Sequence, residues 1–385
     1  MKFSKDALAR LSTGNFFARY HHYLIGLVIS TFLAGFLSDI ALGYVIAAAS
    51  FTTALSLIVM PRIFYRSGTR RILVLFGIIE MVISIGLALA RSAPVAGILF
   101  AIQSMCAYNI FLGLDLLLEA RTVDEQKTGH ARGIFLALAN LSVLAASFSL
   151  SFILTDHNFS DVFLIAAAAI VPFTMFAASF PAVSRVPGSH VTFHHTFREI
   201  RQRTSLMPTM LAHFLLLLFF AWEIYYLPLY LYEHVGFSWK DTGFLFGISI
   251  LPYIFLEFPI GVLADNYFGE KEIALFGFLI MALGIACFAF IGTPDYVAWI
   301  AVVLVANLGG AMVEVSTETH FFKRVAVTDA DLVSSFRMLR PIAAIVAPLI
   351  ASAALYFLPF SEIFVLFGLL LLFGVPFTIS MRDLR

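Results

Sequence analysis

The chain alternates between long apolar runs and short polar interruptions. Twelve runs are predicted as spans: Phe16–Leu37, Ile40–Met60, Ile72–Ala90, Pro94–Leu118, Arg132–Leu154, Val162–Phe180, Met207–Leu231, Thr242–Val262, Ile273–Ile291, Val297–Val315, Leu332–Phe357 and Ile363–Ile379. Each is near the ~20 apolar residues an α-helix needs to cross ~30 Å of hydrocarbon. The runs are continuously apolar rather than alternating, which predicts helices and not barrel strands. The expected fold class is an all-α polytopic membrane protein with 12 transmembrane helices.

The polar interruptions set the orientation. Of 24 Lys and Arg, Arg91 and Lys240 fall on one face and Arg337 and Arg340 fall inside a span. The remaining 20 sit on the opposite face, at its span ends or in its tails. That face is expected to be cytoplasmic by the positive-inside rule, with both termini there and the protein in the plasma (inner) membrane. The N-terminus, Met1-Lys-Phe-Ser-Lys-Asp6, lacks the apolar core and cleavage site of a signal peptide.

Two interruptions share a pattern. Gly261-Val-Leu-Ala-Asp-Asn-Tyr-Phe-Gly-Glu-Lys271 links two apolar runs, and Pro61-Arg-Ile-Phe-Tyr-Arg-Ser-Gly-Thr-Arg-Arg71 has the same placement 200 residues earlier. Gly269 and Asp265 are turn-forming residues in the second copy. Residues 38–86 align with 238–286 without a gap, with identities at Ser38/Ser238, Gly43/Gly243, Leu75/Leu275, Phe76/Phe276, Gly77/Gly277, Met81/Met281 and Ile85/Ile285. An internal repeat of this kind predicts two equivalent halves.

Both stretches resemble the loop after the second helix of each half in the major facilitator superfamily, roughly G-x-L-A-D-R-x-G-R-R. The second copy matches at Gly261, Leu263, Ala264, Asp265 and Gly269, departs at Asn266, and holds one extra residue before Gly269. The first keeps Ile63, Arg66, Gly68, Arg70 and Arg71, with Pro61 for the first Gly and Tyr65 for the Asp. The resemblance implies two pseudo-symmetric six-helix halves, here 1–182 and 207–385, joined by a cytoplasmic linker at 183–206. In that linker Pro187 and Gly188 break helix, and Phe193, Phe197 and Ile200 recur at helical spacing. His190, His194 and His195 lie there without a carboxylate or Cys to complete a metal site.

Ionisable groups inside a span are costly unless paired or hydrated, so each needs a reason. Asp115 and Glu119 lie one helical turn apart at the inner end of span four, and Glu314 and Glu318 match them in span ten. They either hold basic residues such as Arg66, Arg70, Arg71 and Arg132 or touch substrate. In the family such pairs latch the inner gate, which makes Arg66, Gly68, Arg70, Asp115, Glu119, Asp265, Gly269, Glu318 and Arg337 inner-gate candidates. Arg337 and Arg340 share a helix face. Counted from Asp331 they lie about 9 and 13 Å deep, with Arg337 level with Glu314. Arg340 is either a substrate or coupling group or a structural ion pair, and its repeat counterpart is Asn140.

By resemblance, spans one, seven and ten line a central cavity. Glu223, about 24 Å from the inner end of span seven, is the candidate for proton coupling, against a structural hydrogen bond. Trp222, Tyr225 and Tyr226 have polar edges that suit a solute. His21 and His22 are adjacent, so at most one faces the cavity; packing is the alternative for both. The substrate or coupling candidates are therefore Glu223, Arg340, Glu314, Asn140, Trp222, Tyr226 and His22. Glu80 and Glu257 are read as structural, with no firm role for Glu80. Asn109, Asn140 and Asn307 are helix-to-helix hydrogen bonds or cavity contacts.

Composition narrows the function. Residues are 61% hydrophobic and 12% charged, with 42 Phe and a net charge of zero, so nucleic acid is not an expected partner. Cys106 and Cys287 both fall in apolar runs and read as packing residues. No P-loop, HExxH or GxSxG motif appears, and no loop is large enough for a soluble catalytic domain; no cofactor or metal is expected. The expected function is secondary active transport of a small solute by alternating access, with protons as a candidate coupling ion. The alternatives are drug or metabolite efflux and a non-transporting sensor on the same fold. Span five lacks the Gly-Pro-rich signature of the superfamily's proton-driven drug antiporters, which disfavours efflux. The expected partners are the solute and the lipid bilayer, with the protein a monomer.

Overall fold

The computed structural model describes residues 5–119, 125–154, 158–180, 206–325 and 330–381. The linker at 183–205 and its histidines lie outside the described residues, as do the side chains of Glu119, Arg132 and Asp265. Among the described residues all regular structure is helical. The first six helices are α1 (Lys5–Ala34), α2 (Asp39–Ser67), α3 (Thr69–Leu89), α4 (Ala93–Glu119), α5 (Glu125–Ile153) and α6 (Phe159–Ser179). After the linker come α7 (Met207–Leu229) and α8, which runs in three pieces, Trp239–Ser249, Leu251–Phe255 and Glu257–Leu263. Then follow α9 (Glu270–Cys287), α10 (Tyr296–Phe322), α11 (Ala330–Leu355) and α12, in two pieces, Glu362–Leu371 and Gly374–Ile379.

A helix covers each of the twelve expected spans, but their ends move. Helices continue past the apolar runs, because backbone hydrogen bonding does not stop where lipid does. α1 starts eleven residues before the predicted Phe16. Eleven of the helices carry a stretch long and apolar enough to cross a membrane by length and composition. The exception, α1, is interrupted by Arg19, His21 and His22. α8 breaks at Ile250, just before Leu251-Pro252, and again at Leu256, three residues before Pro259. A proline removes one backbone donor and crowds the preceding turn, which accounts for the segmentation.

The two repeated loops fold alike. Gly68 caps the start of α3 at φ 84° and ψ 125°, and Gly269 caps the start of α9 at φ 103° and ψ 155°. Only glycine adopts such angles without strain. The extra residue in the second copy is taken up by a wide turn over Ala264–Phe268, in which Gly269 N donates to Ala264 O at 2.9 Å.

The chain forms two compact units. The first comprises residues 1–38, 48–188 and 238–247; the second comprises 39–47, 189–237 and 248–385. The division therefore does not fall at the linker alone. In the first unit α6 packs along α1 and α3, around a core that includes Phe64, Leu73, Ile110, Phe135 and Phe173. In the second unit the tightest pair is α9 and α10. A Cβ on Gly284 would stand 2.6 Å from the Ala306 backbone, and one on Gly309 would stand 2.4 Å from Met281 N. Small residues let two helix backbones meet this closely, the usual packing device where lipid removes the hydrophobic drive. Large apolar side chains such as Leu55, Val59, Ile78, Val82 and Leu283 are exposed, as a lipid-facing surface requires.

Candidate functional site

In the second unit a polar stripe runs along α7. Thr209, His213, Phe220 and Glu223 are separated by four, seven and three residues, so they share one helix face. Thr209 Oγ1 meets His320 Nδ1 at 2.7 Å, and His213 Nδ1 meets Thr317 Oγ1 at 3.0 Å. Thr317 spends its own proton on Val313 O at 2.7 Å, so its oxygen accepts and His213 carries a proton on Nδ1. His213 also stacks on Phe336, with ring centroids 4.2 Å apart. This double Thr–His seam between α7 and α10 is absent from the sequence reading. His213 stands in an apolar run and His320 in the polar stretch just past span ten, and nothing local distinguishes a paired histidine from a packed or solvated one.

Further along the stripe, Asn307 Nδ2 donates to Glu223 Oε1 at 2.6 Å and to Val303 O at 3.0 Å. A backbone carbonyl only accepts, so the Val303 contact identifies this atom as the amide nitrogen, and Glu223 Oε1 must accept. The proton of a neutral Glu223 would then sit on Oε2. Among the described residues Oε2 has no protein partner, and the side chain is only half-buried. The carboxyl can therefore gain or lose a proton without breaking its bond to Asn307. One turn earlier on α7, Phe220 lies under the Arg340 guanidinium, whose Cζ is 5.9 Å from the ring centroid. Arg340 is exposed and among the described residues forms no ion pair. Glu223 and Arg340 thus have separate partners, as their different depths imply.

Trp222 and Tyr226, expected to offer their polar edges to a solute, are instead used in packing. Both are fully buried. Trp222 lies flat on Phe367 with centroids 3.9 Å apart and donates Nε1–H to Ala347 O at 2.9 Å. The Tyr226 hydroxyl donates to Pro348 O at 3.3 Å. They fix α7 against α11 and α12. Their place in a polar-looking run reflects the need of each buried N–H or O–H for an acceptor.

In the first unit the adjacent histidines separate, as their roughly 100° rotation along the helix demands. His21 is sealed between α3 and α6: Nδ1 is 2.8 Å from Ala166 O and Nε2 is 3.2 Å from Glu80 Oε2. Glu80 is fully buried, so it has the structural partner that the sequence left open. His22 turns the other way. Its Nδ1 is 3.3 Å from Gln103 Nε2, and its ring meets Tyr108 and Phe111 edge-on at 5.5 and 5.3 Å. Asn109 joins α4 to α2 by donating to Ser56 Oγ at 2.7 Å. Asn140 is half-buried and has no bonded partner among the described residues.

At the expected inner-gate positions, Arg66 and Arg70 are exposed and join no ion pair among the described residues. Asp115, Glu314 and Arg337 are half-buried and Glu318 is exposed, and each is engaged with other groups. An ion pair outside the sequence reading stands at the second hinge: Lys323 Nζ bonds Glu270 Oε1. Glu270 opens α9 and Lys323 closes α10, so each charge also complements its helix dipole.

Comparison with known proteins agrees with this architecture. A family model for the Major Facilitator Superfamily matches residues 11–326 and 225–383. No curated protein matches the chain. Among solved structures, the chain is similar to a mutant of the nucleoside transporter NupG, at 13% identity and TM-score 0.73, covering 98% of this chain and 100% of that one. It is similar to a POT family transporter in complex with a thioalcohol-conjugated peptide, at 13% identity and TM-score 0.79, covering 97% of this chain and 94% of that one. It is also similar to the POT family transporter PepTSo, at 10% identity and TM-score 0.79, covering 99% and 98%. Likeness at this identity concerns the fold.

Proposed function

The chain belongs to the Major Facilitator Superfamily, and on that footing we propose that it is a secondary transporter moving a small solute by alternating access, with Glu223 carrying a coupling proton. The observation behind the proton role is the asymmetry of the Glu223 carboxyl. One oxygen is held by Asn307 at 2.6 Å, and the other is left for a proton. Among the described residues no cation pairs with Glu223, and a carboxyl inside a membrane-spanning helix is a functional group by default. Arg340, held over Phe220 and outside any ion pair among the described residues, contacts the polar or anionic part of the solute. The glycine-capped loops at Gly68 and Gly269, together with the Glu270–Lys323 pair, work at the inner gate. Both termini are cytoplasmic in the plasma membrane.

The test uses proteoliposomes loaded to measure pH-driven uptake and counterflow exchange in the same preparation. Glu223→Gln should abolish pH-driven accumulation and keep exchange, because exchange requires no net proton movement. Normal accumulation by Glu223→Gln would remove the proton role. Ligand binding without any flux in the unaltered protein would identify a sensor instead.

A further inference from the structure

Arg19 is a charge that the transport reading leaves without a task. The charge distribution alone places it among the basic residues at the cytoplasmic span ends. Counted from Phe16, where the apolar run begins, Arg19 lies roughly 5 Å into span one at ~1.5 Å per residue, although α1 itself begins earlier. A guanidinium stays protonated in proteins, so within a span it needs a partner. Among the described residues no carboxylate is within ion-pair distance of it.

Its surroundings hold the guanidinium in one plane. Asn15 is fully buried and donates Nδ2 to Phe135 O on α5 at 3.1 Å, which fixes its Oδ1. Arg19 donates Nε–H to that Oδ1 at 3.1 Å. Its Cζ lies 4.6 Å from the centroid of Phe111 on α4. Among the described residues, the aromatic contact and the single Nε bond leave the Nη1 and Nη2 pair without an acceptor. That end of a guanidinium matches the two oxygens of a carboxylate or a phosphate. His22, one turn further along α1, packs edge-on against the same Phe111 ring. With Gln103 Nε2 donating to its Nδ1, His22 carries its proton on Nε2 and supplies a second donor.

We infer that Arg19 is the oxyanion-recognising residue of the first unit, with His22 as its neighbouring donor, and that the solute bears a carboxylate or phosphate group. Asn15 and Phe111 are positioning residues that orient Arg19. The inference rests on the transport reading for the solute's route across the membrane but not for its binding, so binding and flux are measured separately.

The full chain, purified in detergent, is titrated with inorganic phosphate, succinate and benzoate while its melting temperature is followed. Sodium chloride at matched ionic strength and neutral glucose serve as references. At least one oxyanion should stabilise the protein. Arg19→Gln should weaken that binding about tenfold or more, the scale of a lost charge-assisted bidentate contact. Arg10→Gln, an exposed arginine on the same helix, should leave it unchanged. If Arg19→Gln does not fold, Arg19→Lys and Phe111→Leu keep the test open. Each should weaken oxyanion binding while glucose continues to have no effect. Binding by Arg19→Gln within about threefold of the unaltered protein overturns the inference. So does stabilisation by none of the three oxyanions. Stabilisation by phosphatidylglycerol alone, lost in Arg19→Gln, would assign the site to a lipid headgroup and also overturn it. Oxyanion binding through Arg19 without flux would leave the inference standing and remove the transport reading.

Discussion

Asn307 on α10 holds Glu223 on α7 by one side-chain hydrogen bond of 2.6 Å, and the same nitrogen is anchored to Val303 O on its own helix at 3.0 Å. The amide can therefore neither rotate away nor offer its oxygen without losing the Val303 contact. Asn307→Leu should lower stability by about 1 kcal/mol, the net worth of one hydrogen bond to a half-buried acceptor. Asn307→Leu combined with Glu223→Leu should recover much of that loss. Thermal unfolding of the two single variants and the double variant measures the coupling; strict additivity would mean the bond contributes nothing.

The buried His21–Glu80 pair makes a second expectation. Ala166 O can only accept, so His21 Nδ1 carries a proton, and one more proton is shared between Nε2 and Glu80 Oε2. Glu80→Leu leaves His21 Nε2 without its partner and should cost about 1–3 kcal/mol. Glu80→Gln can still donate to Nε2 and should stay much closer to the unaltered protein. Equal losses from Leu and Gln would show that packing, not the hydrogen bond, is what matters.

Gly43 and Gly243 occupy equivalent places in the repeat, and each is approached by a neighbouring helix in its own unit. A Cβ on Gly43 would stand 2.0 Å from Ser352 Oγ and 2.7 Å from Pro348 O; one on Gly243 would stand 2.8 Å from Ser147 O and 2.9 Å from Ser151 N. Alanine at either position should destabilise by about 1–3 kcal/mol through overpacking. Ser352→Ala should rescue Gly43→Ala only in part, because the Pro348 carbonyl remains. Full rescue in a melting experiment would show that the backbone is free to shift.

The hinge glycines are constrained by backbone angle rather than by space. A Cβ added to Gly68 would meet nothing within 4 Å, yet its φ is 84°, and Gly269 has φ 103°. Gly68→Ala and Gly269→Ala should each cost about 1–3 kcal/mol. Gly292 also has open space around it but no positive φ, so Gly292→Ala should be neutral. Equal melting temperatures for all three variants would refute the angle argument.

Reporter fusions test the orientation. Arg70 and Lys323 should read cytoplasmic and Asp295 external, following the lopsided distribution of Lys and Arg. A cytoplasmic reading at Asp295 would overturn the orientation.

The helical class, the two-fold repeat and the hinge glycines are all legible in the sequence. They depend on local chemistry: apolar runs long enough to cross a bilayer, and Gly68 and Gly269 at turns where a side chain would strain the backbone. Glu223 and Arg340 are legible as charges needing a reason, since a charge in an apolar run is visible without knowing its neighbours. Who those neighbours are is settled by the packing of the helices. Asn307 lies 84 residues from Glu223, Glu80 lies 59 from His21, and Phe135 lies 120 from the Asn15 that steers Arg19. Such pairings follow from how each helix is rotated about its axis and how closely its neighbours approach. A rotation of one residue, about 100°, separates the sealed His21 from His22 beside Phe111, and turns Trp222 into packing while Glu223 meets Asn307 and keeps a second oxygen without a protein partner among the described residues.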